Sequence, residues 1–237
     1  MKHVLDRPIW SALTTRHVSV SRGGDRARRY DPSIVPFGAA CDDAGDSLQS
    51  LGELARSDDG MVLLQADPIV LPAGCTAEFT AEGVQMVLRR APPSATDDRI
   101  ERLTESDAGE MFALAALTKP GPFTLRAQAL GEFYGIKVDG RLVAMAGERM
   151  KLDGFAEVSG VCVHPDFQGR GLGRLLSVFV THRVLERGET PFLHAFASNS
   201  TARALYSSIG FELRTMMNVA FIRTEGAASA EGLPGHG

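Results

Sequence analysis

The chain has 237 residues, 44% of them hydrophobic and 23% charged, which is the balance of a globular protein and excludes a disordered or fibrous one. Its 25 Lys and Arg against 29 Asp and Glu leave a net charge of -4, so no global positive field draws it to nucleic acid or to anionic lipid. The 3 cysteines, Cys41, Cys75 and Cys162, have no Cys or His neighbours at ligand spacing and predict neither a disulfide framework nor a metal site; with no signal-peptide core and no membrane-length apolar run, a cytoplasmic protein is expected.

In chain order, Leu48, Leu51 and Leu54 predict a helix over 46–55, and the apolar runs Met61 to Leu64 and Val84 to Leu88 read as strands. The basic stretch Arg22, Arg26, Arg28 and Arg29 reads as a solvated loop. Pro, small and charged residues from Arg89 to Asp98 interrupt the pattern and predict a boundary, with an N-terminal region over 1–96, a second domain over 97–224 and a mobile tail over 225–237. Ser106 or Asp107 can cap a helix through Met111 to Leu117, stopped by Lys119-Pro120-Gly121-Pro122. Phe133 to Val138 and Arg141 to Met150 flank Asp139-Gly140, a dipeptide suited to the two positive φ angles of a type I′ hairpin turn. Then come a strand over 156–164, a glycine-rich loop, a helix over 172–187 ended by Gly188, a strand over 192–197, a short helix over 201–208 after Asn199, and a strand over 212–222. The order is α+β with one β-α-β unit.

Where a strand meets a helix through glycines, the first helical N–H groups are unpaired and suit a phosphate. Gly169, Gly171 and Gly173 let backbone approach a diphosphate closely, and Arg170 and Arg174 add charge; a tight connection with no ligand is the other reading of such glycines. Arg174 stands where the dinucleotide fingerprint needs its third glycine, and no Gly-Lys-Ser or Gly-Lys-Thr of a P-loop occurs.

Val161-Cys162-Val163-His164-Pro165 followed by Gln168-Gly169-Arg170-Gly171-Leu172-Gly173 resembles the acetyl-coenzyme A motif of the GNAT superfamily of N-acetyltransferases. The run from Asn199 to Phe211, with Ala202, Leu205, Tyr206 and Gly210, resembles that superfamily's second block, and Pro191 to His194 is similar to its glycine acyltransferase-like branch. The resemblance covers roughly residues 99–223; the first ninety match no motif, and a degenerate half of the same fold is one reading of them. It implies a mixed twisted sheet flanked by helices with the N-terminal region packed against it, acetyl-coenzyme A as acyl donor, and a primary amine of a small molecule or amino acid as acceptor, bound near Met111 to Leu130. A non-catalytic acyl-coenzyme A sensor is the rival class.

By resemblance, the diphosphate rests on N–H groups from Gln168 through Leu172 to Gly173 with Arg174 nearby, the pantetheine arm pairs with backbone at Val161, Cys162 and Val163, Asn199 bonds the cofactor, and Tyr206 protonates the departing thiolate. At ~3.3 Å per strand residue, Glu157 lies about 20 Å before the phosphate end, the reach of an extended pantetheine arm. Strict alternation puts Glu157, Ser159, Val161 and Val163 on one face, so Glu157 is the expected general base, directly or through water, the other reading being an exposed strand-end carboxylate. Glu148 is a second acid-base candidate. The other readings of Tyr206 and Asn199 are a core residue and an N-cap; His164 is expected as a turn element, Cys162 as a buried thiol, and His182 and His194 lack metal-ligand companions.

Overall fold

Gly83 to Val87, which precede the boundary expected at 96, bond antiparallel to Phe192–Phe196. The computed structural model describes residues 3–55 and 60–224; these divide into one unit of residues 3–32, 36–55, 60–82 and 217–224 and another of 33–35 and 83–216. The tail from Glu225, expected to be mobile, lies outside the described residues.

In the first unit, Pro8 at the start of helix α1 (Pro8–Thr14) presets its first turn, and Ile9, Ala12 and Leu13 are buried. Strands β1 (Ser21–Gly23), β2 (Ala27–Tyr30) and β3 (Gly38–Ala40) form an antiparallel sheet. Arg28 and Arg29 lie on β2 and not in the expected loop; Arg29 is buried and donates to the carbonyls of Leu54 and Gly60, while Arg22 and Arg26 pair with Asp31 and Asp46. Helix α2 (Gly45–Leu54) packs Leu51 with Met61 and Leu63 of β4 (Met61–Gln65), Cys75 of β5 (Cys75–Leu88), and Ala220 and Ile222, which lie on the segment that pairs antiparallel with β4.

The second unit carries the motifs. After β6 (Ile100–Leu103), Thr104 caps a 3₁₀ turn, its N–H donating to Asp107 Oδ2 at 2.7 Å in a reciprocal capping box, and Asp107, one of the two expected caps, holds the N-cap position of the helix that follows without a side-chain bond to it. The turn leads into α3 (Ala108–Thr118), which Lys119 ends in the left-handed region at φ 51°. Strands β7 (Phe133–Val138) and β8 (Arg141–Leu152) form the expected hairpin, with Asp139 at φ 49° and Gly140 at φ 76°. Then come β9 (Phe155–Val163), α4 (Leu172–Glu186), β10 (Thr190–Phe196), α5 (Ser200–Ser208) and β11 (Phe211–Thr224). Within this unit the strand order is β5-β10-β9-β8-β7-β6, antiparallel except for the parallel β9–β10 pair, so the mixed sheet with helices α3 and α4 packed on it is the expected α+β class.

Two irregularities between β8 and β9 decide which side chains face the core. Ser159 opposes Gly147 while Cys162 opposes Met145, which places one extra residue on β9 where Gly160 sits at φ 61°. Val158 opposes Glu148 while Ala156 opposes Lys151, which places an extra residue on β8. The first bulge shifts the alternation: Val161 and Val163 pack with Val158 in the core under α4, whereas Cys162 packs with Met111 and Leu114 of α3. The single face expected for Glu157, Ser159, Val161 and Val163 is therefore broken at Gly160.

Candidate active site

Strands β9 and β10 pair only from Phe155 to Glu157 against Thr190 to Phe192. Beyond that point β9 stays on β8 and β10 stays on β5, but the two no longer register with each other. Among the described residues, the facing edges of Val158–Val163 and Leu193–Phe196 have no partner strand. Backbone amides on such an opening need another partner, and an extended chain laid between the strands supplies it. Val161, Cys162 and Val163 all lie on this edge.

At its outer end is the glycine loop. Gly169 and Gly171 both have φ 75°, and a Cβ at either would meet nothing within 4 Å, so the loop presents bare backbone to open space. The N–H groups from Gly169 to Arg174 bond to no described residue, at the start of a 15-residue helix whose dipole favours an anion. Gln168 differs from the expectation: its N–H is spent on Pro165 O at 3.2 Å in the preceding 3₁₀ turn. Arg170 lies over the Phe167 ring, Arg174 is exposed, and Leu172 is buried in the core and anchors the helix start. A Cβ on Gly173 would stand 3.4 Å from Val163, an ordinary van der Waals contact, so packing of α4 on β9 does not itself require a glycine there. These features fit the diphosphate and arm of coenzyme A. His164 is the expected turn element, its Nδ1 accepting the Asp166 N–H.

Glu157 sits where β9 and β10 part, and it is fully buried, which removes the reading of an exposed strand-end carboxylate. Arg149 Nε donates to Oε2 at 2.9 Å and Nη2 to Oε1 at 2.7 Å; His194 Nδ1 lies 2.8 Å from Oε1, and the Met150 N–H lies 3.3 Å from Oε2. The extra residue on β8 turns the Met150 amide and the Arg149 side chain toward this carboxylate. Burial alone raises its pKa, but the Arg149 charge and hydrogen bonds, with His194, overcome burial and hold it down to about 2. Four donors fill the lone-pair sites of an ionised carboxylate.

Tyr206, on α5, is 9% exposed, and its phenol is pushed up to about 12 by burial and by the nearby Cys162 and Glu157. It therefore stays protonated over the neutral range. Its ring packs edge-on against Phe211, and the hydroxyl bonds to no described residue. Asn199 caps α5, its Oδ1 accepting the Ala202 N–H at 2.9 Å. Cys162 is buried and its thiol is pushed up to about 12 by burial, which makes it an inert packing residue. Glu148, the second acid-base candidate, is fully buried in an ion-pair cluster between Arg187 at 2.6 Å and Lys151 at 2.5 Å.

Sequence reasoning missed Arg149, and it set His194 aside for want of metal-ligand companions. Periodicity alone marks neither. A cleft beside Arg149 is walled by Ile34, Pro120, Pro122, Phe123 and Phe133 and reaches Ser159 and Gly160 on the bulged strand. It coincides with the Met111 to Leu130 segment expected to shape an acceptor site.

The family profile described as FR47-like protein matches residues 133–220. Ribosomal protein bS18-alanine N-acetyltransferase of Salmonella typhimurium strain LT2 is 40% identical over 82 residues, 34% of this chain and 55% of that protein, and mycothiol acetyltransferase of Thermomonospora curvata is 39% identical over 74 residues, 31% of this chain and 25% of that one. The chain thus spans about half the length, or less, of these curated relatives. A crystal structure of a GNAT-family protein from Novosphingobium aromaticivorans DSM 12444 is 39% identical, covers 94% of this chain and 100% of its own, and superposes with a TM-score of 0.89. With its glycine loop, its parted strands and this likeness along nearly its whole length, the chain belongs to the GNAT family.

Proposed function

We propose that the chain transfers an acetyl group, or another short acyl group, from acetyl-coenzyme A to a primary amine of a small molecule or amino acid. The observation that carries this reading is the opening between β9 and β10, with free loop amides at one end and the protonated Tyr206 beside it. Acetyl-coenzyme A supplies an activated thioester. The chain supplies placement: amides of Gly169 to Arg174 for the diphosphate, the β9 edge at Val161 to Val163 for the arm, and the Asn199 amide beside it. Holding amine and thioester in reacting geometry is the main source of rate. The Tyr206 hydroxyl donates its proton to the departing sulfur. Glu157 takes the amine's proton, directly or through water, once the Arg149 and His194 bonds that hold its carboxyl down to about 2 loosen.

The acceptor binds in the cleft between Pro122, Phe123 and Ser159. Within the family we favour the glycine acyltransferase-like branch on Pro191 to His194, and a cytoplasmic site of action on the odd number and wide separation of Cys41, Cys75 and Cys162 in the sequence. One relative's name specifies alanine of a ribosomal protein, so the decisive screen offers both free amino acids and small amines and peptides with N-terminal alanine. Acetyl-coenzyme A is supplied, and product mass and released thiol are read together. Matched release of thiol and acetylated amine is expected. Tight acetyl-coenzyme A binding with no product from any amine would favour the sensor instead.

A further inference from the structure

The geometry points to Arg214, Gln85 and His194 as positioning residues that hold Glu157 in one orientation at the point where β9 and β10 part. The inference rests on the acyl-transfer reading of this site. Gln85 is the one polar side chain in the run Val84 to Leu88 of β5, and it is fully buried. A polar group there is costly unless satisfied. Arg214 Nε donates to Gln85 Oε1. An arginine has only donors, so the atom it meets is the amide oxygen, and the amide nitrogen faces the other way. That nitrogen lies 2.9 Å from His194 Nε2 and donates to it. Nε2 is then an acceptor, the imidazole is neutral, and its proton sits on Nδ1, which donates to Glu157 Oε1 at 2.8 Å.

Each link has a forced direction, running from β11 through β5 and β10 to β9. With the Gln85 amide on Nε2, an imidazolium would set N–H against N–H. Among the described residues, the charged groups linked to His194 include Glu157 on β9, Arg149 behind it on β8 and Arg214 through Gln85, and Tyr206 on α5 lies in the field of the same Glu157. The arrangement fixes the ring of His194 with Nδ1 toward Glu157 and keeps one carboxylate oxygen aimed along β10.

Gln85→Glu tests this with nearly unchanged shape, because a carboxylate accepts only and meets Nε2 best when Nε2 carries a proton. In the full-length protein at pH 7, ring nitrogen-15 NMR should show His194 neutral with the proton on Nδ1, and Gln85→Glu should convert it to imidazolium. Turnover should fall between about 10-fold and 100-fold, with the acid limb of its pH profile displaced and KM for acetyl-coenzyme A within about twofold. If Gln85→Glu does not fold, Arg214→Met, which lets the Gln85 amide reverse, should give both His194 tautomers. A proton on Nε2 in the unaltered protein would overturn the inference, as would unchanged turnover in a variant whose His194 has changed state. An unaltered protein with the Nδ1 proton but no turnover on any amine would overturn the acyl-transfer reading and leave the hydrogen-bond chain standing.

Discussion

Glu157 and Arg149 depend on each other in a way that acid titration can read. The carboxyl of Glu157 lies at about 2 in the folded chain against an ordinary 4.5. Its contribution to stability is therefore complete above about pH 4.5 and is lost as pH falls through about 2. Arg149→Met leaves burial opposed only by His194 and the Met150 N–H and pushes the carboxyl upward, so the deficit of the variant is greatest near neutral pH. A buried ion left without its partner costs about 3–5 kcal/mol. Urea unfolding should show a deficit that is largest at pH 7, smaller at pH 3 and smallest near pH 2, where the carboxyl of the unaltered protein also takes its proton; equal deficits at all three would mean that Arg149 acts through packing. Tyr206→Phe keeps the ring against Phe211 and deletes the proton donor. Turnover is expected to fall by about 100-fold, the lower end of general-acid effects, with acetyl-coenzyme A affinity nearly unchanged by calorimetry. Unchanged turnover with chemistry rate-limiting would assign the proton to solvent.

The glycines of β9 and of the loop serve different ends. At Gly160 a Cβ would stand 2.8 Å from the Phe133 ring, and φ is 61°. Gly160→Ala therefore meets both a clash and a left-handed backbone, the latter alone costing about 1–2 kcal/mol, and its melting temperature should drop. At Gly171 the backbone is equally left-handed, but a side chain meets open space. Gly171→Ala should show the strain alone, with coenzyme A affinity reduced only modestly, whereas Gly171→Glu puts a carboxylate where the diphosphate rests and should abolish binding by calorimetry. Equal affinity in Gly171→Glu and Gly171→Ala would remove the loop from the cofactor site.

Shortening the chain tests what its first ninety residues contribute. A chain beginning near Ala95 lacks Gly83 to Val87, the strand segment that β10 bonds along Phe192 to Phe196, and with it Gln85. The β10 edge and apolar partners of Val84 and Met86 in the α4 core are then exposed. Such a fragment is expected to be insoluble or inactive. A soluble fragment with full turnover would show that β5 is dispensable.

The parts legible in the sequence are those whose chemistry is local. Asp139-Gly140 specifies its turn because two positive φ angles are needed at adjacent residues, and the run Gln168 to Gly173 marks a strand-to-helix loop because only glycine takes φ 75° freely. Glu157 and Tyr206 could be singled out by motif and strand length, but not the state in which the fold holds them. Arg149 is 8 positions from Glu157, His194 is 37 away, and Gln85 is 109 from His194; no period links them. The Gly160 bulge, which breaks the alternation, is visible only once β8 is in register with β9. Local propensity and spacing thus determine the elements and the glycine loop, while the donors that fill a buried carboxylate arrive from separate strands, and only the closed sheet decides which they are.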